Sequence, residues 1–146
     1  MRTNGTQKVG RFAVDIELSN YADVLNAQSG HLDIEDIRKK TVRAIVDSGA
    51  TRLVLPQAVV KELGLPKKEG KVKVRYADGR RGLRSEVGAV LLRLQGREDV
   101  FSAVVEPKRE TAFLGAIVLE DLDFLVDCVK MRLVPRDPDH IVSEIE

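Results

Sequence analysis

Tryptophan is absent from this chain, and cysteine, histidine and aromatic residues are scarce. The single cysteine, Cys128, excludes an intrachain disulfide, and a chain without disulfides fits the cytoplasm. Its neighbours Phe124, Leu125, Val126 and Val129 predict a buried small hydrophobe in place of a reactive thiol. The two histidines, His31 and His140, lie far apart, and no Cys-x-x-Cys or His-x-x-x-His pair occurs. No metal or other cofactor is therefore expected. Long apolar runs are also missing. The longest segments resemble Val87 to Leu92, far short of the roughly 18 residues that span a bilayer. The first residues, Met1 to Gly5, lack the apolar run of a signal peptide. No membrane association is expected, and a cytoplasmic location is. A net charge of +1 gives no excess of either sign, so nucleic acid is not an expected partner.

What is present is a succession of strand signals in 146 residues, enough for one domain with a real core. Phe12 to Leu18 alternates apolar and polar residues with the period of a half-buried strand. Asn20 to Asp36 reads mostly as a loop, long enough that a helical turn or an extra strand near Leu32 to Ile37 is expected within it. Thr41 to Val46 and Arg52 to Leu55 are strand-like. Pro56 to Leu63 carries the punctuation of a short helix, with Gly64 ending it. Lys71 to Tyr76 and Leu83 to Leu94 flank Asp78-Gly79, a strong hairpin signal. Gln95 to Glu98 reads as a second turn before a strand at Val100 to Val105. Ala116 to Leu122 predicts another short helix. Phe124 to Val129 and Met131 to Val134 predict two last strands. The expected fold is mainly β: a small closed or partly closed antiparallel barrel with one or two short helices. A domain is expected over 1–135, followed by a tail or extra packing segment over 136–146, where Pro135 and Pro138 disfavour a long strand.

One acid breaks the pattern. Asp47 follows Ala44, Ile45 and Val46 and precedes Leu53, Val54 and Leu55. Those flanks predict burial, which is costly for a carboxylate without partners. Departures of this kind concentrate at functional sites. Gly49 permits a sharp turn, and the Ser48 and Thr51 hydroxyls are candidates to hold the acid.

The run Ile45-Val46-Asp47-Ser48-Gly49-Ala50-Thr51 resembles the active-site motif of retropepsin-like aspartic proteases. The resemblance extends from roughly Phe12 to Pro135. It includes the hairpin between Lys71 and Leu94, which falls where that family has its flap, and Phe113-Leu114-Gly115, which is similar to its second signature. The resemblance implies a barrel of retropepsin type and the hydrolysis of peptide bonds. It implies Asp47 as catalytic residue, Ser48, Gly49, Ala50 and Thr51 as active-site loop, and Tyr76, Ala77, Asp78, Gly79 and Arg80 as flap. Leu114 and Gly115 would be a structural signature. Thr51 and Ala116 depart from the residues many viral members carry at those places; with Ala116, a salt bridge bracing the loop is not expected.

Only one such motif occurs, and Asp15, Asp78, Asp123 and Asp127 lack its Ser/Thr-Gly turn or its apolar flanks. A second carboxylate would have to come from a second copy, so the expected partners are a homodimer mate and a peptide or protein substrate. The alternative is an inactive module of the same fold that binds a peptide or protein partner. Arg80, Arg81 and Arg84 read as a solvated face, with recognition of acidic substrates as the other reading.

Overall fold

A computed structural model of the protein describes residues 11–146. Along the chain run β1 (Phe12–Asn20), α1 (Tyr21–Gln28), a 3-10 turn (Ile34–Asp36), β2 (Lys39–Val46), β3 (Val54–Pro56) and α2 (Gln57–Leu63). There follow β4 (Lys67–Arg75), β5 (Arg81–Leu94), β6 (Arg97–Glu106), β7 (Ala112–Leu114), α3 (Ala116–Asp121), β8 (Phe124–Asp127) and β9 (Arg132–Pro135).

Six of these strands close a barrel in the order β1-β2-β7-β3-β6-β5, with β5 pairing back onto β1 from Glu17↔Arg93 to Asn20↔Val90. Closure removes the sheet edge along the stretch where β1 and β5 pair. β4 hangs from β5 as the outer arm of a hairpin. β8 and β9 form a separate two-stranded sheet. Inside the barrel, the inward positions of each strand supply the core: Leu18, Val46, Leu55, Val90, Leu92 and Leu114 are all fully buried. α3 covers one end through Val118 and Leu122, also buried. Each such Leu contributes about 2 kcal/mol relative to exposure.

The mainly β barrel with short helices is the expected architecture, with instructive differences of detail. Two of its pairings, β2–β7 and β3–β6, are parallel. Hairpin signals predict antiparallel neighbours, but these strands meet through long connections, and period-2 alternation carries no direction. The segment after Asn20 contains a full helix, α1. Asn20 caps it by accepting the Asp23 N–H at 3.0 Å. The same side chain donates to the Leu63 carbonyl at 2.8 Å, tying α1 to the end of α2. Asp23, buried, accepts from the Arg38 backbone at 3.0 Å and from its guanidinium at 2.8 and 3.0 Å. The Arg38 hydrogen bond holds the Asp23 carboxyl below the usual carboxylate range, against the opposing effect of its burial. The turn after β5 is two residues long, with Gln95 and Gly96 both at positive φ, the arrangement whose twist suits a tight hairpin.

Cys128 lies in an exposed turn and is not buried. β8 stops at Asp127 because its carboxylate accepts the N–H groups of Val129 and Lys130, each at 3.0 Å. This local Asx turn outcompetes the strand ladder. Beyond β9 the chain has no regular structure but is tied down. Asp123 accepts from Arg136 at 2.7 Å and from the Val142 N–H at 3.0 Å. The Arg97 guanidinium binds the carbonyls of Leu122, Asp123, Asp137 and His140. Among the described residues no helix is long and apolar enough to cross a membrane.

Candidate active site

The parallel register of β2 and β7 sets Val46 beside Leu114. The next residue of each strand is Asp47 and Gly115, so the motif and the second signature meet at one end of the barrel. Backbone hydrogen bonds join them. Asp47 N–H donates to the Leu114 carbonyl at 3.0 Å. The first-turn N–H groups of α3, Ala116 and Ile117, donate to the carbonyls of Ala50 and Thr51 at 2.8 and 3.0 Å. These are helix N-terminal donors that have no partner within the helix, and the loop supplies one. The approach requires glycine: a Cβ at position 115 would lie 2.5 Å from Thr51 C and from Arg52 O.

The Asp47 carboxylate is half-buried and opens into a cleft. Its Oδ1 accepts the Gly49 N–H at 3.0 Å. Neither the Ser48 nor the Thr51 hydroxyl bonds to it, so the candidate hydroxyl braces give way to a backbone donor. A turn this tight brings the Gly49 amide to the carboxylate before either hydroxyl can reach it. The other oxygen, Oδ2, stands 3.7 Å from Nε of Arg11. That Nε is buried and has no hydrogen-bond partner among the described residues. The Arg11 guanidinium lies over the Phe113 ring, 5.5 Å from its centroid, and Arg109 lies over the same ring at 4.7 Å.

The cleft has a volume of about 920 Å³. Asp47, Gly49, Ala50 and Thr51 line one wall, and the β4 side of the hairpin, including Val72, Val74, Tyr76 and Ala77, lines the facing one. Val54, Val104 and Phe113 make its apolar floor, and Glu106 and Arg109 also border it. Of the candidate flap residues, Tyr76 and Ala77 face the cleft, whereas Asp78, Gly79 and Arg80 form an exposed tip. The tip is closed by Tyr76 N–H to Arg80 O at 2.8 Å and by an Asp78–Arg80 ion pair at 2.7 Å. Ser48 is at the exposed side of the loop and does not line the cleft. Leu114 is fully buried beneath the loop.

Tyr76 anchors the hairpin to the barrel. Its hydroxyl donates to Glu106 Oε2, and Arg84 donates to Glu106 Oε1 at 3.0 Å. Arg80 and Arg84 flank the Tyr76 ring at 4.9 and 5.6 Å. Burial works to raise the Glu106 carboxyl, but the Tyr76 and Arg84 hydrogen bonds outweigh it and hold the group below its ordinary value. Burial first, and the Glu106 hydrogen bond second, push the Tyr76 hydroxyl up. Arg84 is thus paired and half-buried, whereas Arg80, paired only to Asp78, and Arg81 are exposed, as the solvated-face reading expects.

Glu106 was open to detection. It ends an apolar strand, Ala103-Val104-Val105, with the same mismatch that marks Asp47. Arg11 and Arg109 carried no local signal, since each is one charge among the 24 Lys and Arg residues of the chain. Among the described residues no three His, Cys, Asp or Glu side chains gather in a way that could hold a metal ion.

Residues 32–118 match the family model described as aspartyl protease. That span holds the Asp47 loop, the hairpin and Leu114-Gly115. Among solved structures, EIAV protease complexed with the inhibitor HBY-793 superposes with a TM-score of 0.55. It is 18% identical, over 83% of this chain and 94% of that one. At that identity the likeness carries the fold, a retropepsin-type barrel. No curated protein matches the sequence.

Proposed function

The chain belongs to the aspartyl protease family, and from that premise we propose that it is a homodimeric aspartic endopeptidase in which the two Asp47 carboxylates, one per subunit, activate a water. The observation that carries this reading is the position of Asp47. It sits on a backbone-locked turn that lines a cleft facing the hairpin, with one carboxylate oxygen fixed by Gly49 N–H.

Hydrolysing a peptide bond with two carboxylates needs one as base and the other as acid. At ~3 Å and an effective dielectric near ~20, two like charges repel by about 5 kcal/mol, roughly four pK units. One carboxyl then stays protonated while the other ionises. This division is general to aspartic proteases as a class and is not a value derived from this chain; the apparent constants belong to the pair. The ionised member takes a proton from water as it attacks the carbonyl carbon. The protonated member donates to the carbonyl oxygen, and the resulting tetrahedral species collapses as the amine leaves with a proton. The apolar floor of Val54, Val104 and Phe113 would bind side chains next to the scissile bond.

Asp47→Asn tests the proposal. It should lower peptide cleavage by about a thousandfold or more while thermal stability and dimer mass, read by light scattering, stay as in the parent. Wild-type specific activity should rise with protein concentration as dimer forms. Undiminished cleavage by the variant defeats the reading.

A second reading, a non-catalytic module that binds a peptide, draws on Arg11. A guanidinium stands 3.7 Å from Asp47 Oδ2 and competes for the place a second carboxylate would take. A chain that stays monomeric at all concentrations while still binding peptides would favour it. Cleavage that depends on Asp47 would exclude it.

A further inference from the structure

The charge around the cleft is lopsided once its ion pairs are taken out. Five cationic residues border it, Arg11, Arg52, Lys73, Arg75 and Arg109, against two carboxylates, Asp47 and Glu106. Arg52 is bound to Glu86, outside the cleft. Glu106 has both oxygens hydrogen-bonded, one by Tyr76 and one by Arg84, so Arg109 feels its charge without forming an ion pair with it. Lys73 and Arg75 alternate with Val72 and Val74 along β4 and are exposed. Arg11 leans on Asp47. Arg109 is exposed as well and, like Lys73 and Arg75, has no ion-pair partner among the described residues, but of these three it alone lies over an aromatic ring, Phe113, at 4.7 Å.

Stacking fixes the plane of a guanidinium while leaving its N–H edge free, the geometry that receives a carboxylate through two parallel hydrogen bonds. Phe113 is itself the neighbour of Leu114 in β7 and is held in register beside Ile45 of β2. The platform under Arg109 therefore belongs to the same rigid unit as the Asp47 loop. We propose that Arg109 is a specificity-determining residue that seats an acidic side chain of the substrate close to the scissile bond, so that the substrates are peptides with Asp or Glu near an apolar cleavage pair. This rests on the peptidase reading of the cleft. In a two-fold dimer each half-cleft has its own Arg109. The acid preference then falls at two positions placed symmetrically about the scissile bond, one on each side.

The test uses the full-length dimer and a fluorescein-labelled, Gln-rich peptide with a central Phe-Phe pair. A companion set carries one Glu stepped through the other positions. Relative kcat/KM by mass spectrometry should favour Glu about tenfold, the worth of one charge-assisted hydrogen bond, at a symmetric pair of positions. The preference should shrink with added salt. Arg109→Gln should bring the Glu-to-Gln ratio to about one, Arg109→Lys should keep its sign at reduced size, and Arg109→Glu should shift the preference to a Lys-bearing peptide. Arg132→Gln, on β9 and away from the cleft, should keep the parent ratio. Anisotropy binding of the same peptides to Asp47→Asn gives the ratio without turnover. If the wild type cleaves nothing, the peptidase reading fails, and the binding ratio still decides the role of Arg109. A wild-type ratio near one, or a ratio that Arg109→Gln leaves unchanged, overturns the proposal.

Discussion

The two walls of the cleft are built on different principles. The Asp47 wall is held by backbone: Asp47 N–H to Leu114 O, and Ala116 and Ile117 N–H to the carbonyls of Ala50 and Thr51. The hairpin wall is held by side chains: Tyr76 and Arg84 converging on Glu106. Backbone bonds tolerate changes of side chain except where two backbone segments touch, which here is at Gly115. A side-chain latch tolerates changes of backbone less but can be loosened in steps, by substitution or by protonation. A wall that positions a reacting acid gains from the first kind of support, because small displacements at the reacting atoms are costly in rate. A wall that must admit and release a peptide gains from the second.

The sharpest way to break this contrast is Gly115→Ala. Its methyl would lie 2.5 Å from backbone atoms of Thr51 and Arg52, so the loop or α3 must move. A loss of about 3 kcal/mol or more is expected, read by urea unfolding, together with lost peptide cleavage. Parent-like stability would show that the loop is not clamped by this approach. Next in size is Glu106→Ala, which removes the acceptor of Tyr76 and leaves Arg84 unpaired at a half-buried place. It should cost about 2 kcal/mol and raise hydrogen exchange over residues 71–85, with the Asp47 loop unchanged. Tyr76→Phe should cost about 1 kcal/mol and loosen the same residues less. Equal exchange in the hairpin and the loop for either variant would erase the distinction.

The smallest expected effect is one of pH. Behind the loop, on α3, Asp121 shares a hydrogen bond with Asp99, which with burial pushes its carboxyl up to about 6. The folded chain therefore keeps a proton that the unfolded chain has released between about pH 4 and 6. That contribution is full below the unfolded value and lost as pH rises through about 6. Glu106 and Glu86 are shifted the other way, despite opposing burial in each case. Their contribution is present above the unfolded value, near pH 4.5, and lost as pH falls below it. Stability should accordingly be greatest between these limits. Asp121→Asn should flatten the decline above pH 5 and leave the acid limb unchanged; a decline that persists in that variant assigns it to other groups.

Much of this was legible in the amino-acid order. The period-2 runs mark β1, β4 and β5 because alternation places one face of a strand in the core. Asp78-Gly79 and Gln95-Gly96 mark the hairpins because glycine takes the positive φ that tight turns need, 90° at Gly79 and 83° at Gly96. Asp47 is conspicuous because an acid ends an apolar strand. Glu106 has the same mark. The helix α1 was announced only by Asn20 ahead of Asp23, a capping pair easily taken for loop polarity. Cys128 was misread because hydrophobic neighbours outweighed the turn that Asp127 imposes on the residues after it.

What the sequence by itself determined is therefore local: which segments are strands, where the turns fall, and that Asp47 needs an explanation. Only the tertiary structure decided what surrounds it. The closure of β1 on β5, the parallel register that sets Asp47 beside Gly115, and the Arg11 guanidinium at its carboxylate all join residues distant in the chain. Such contacts follow from how buried faces find one another in space, and no periodicity along the chain encodes their partner or their direction.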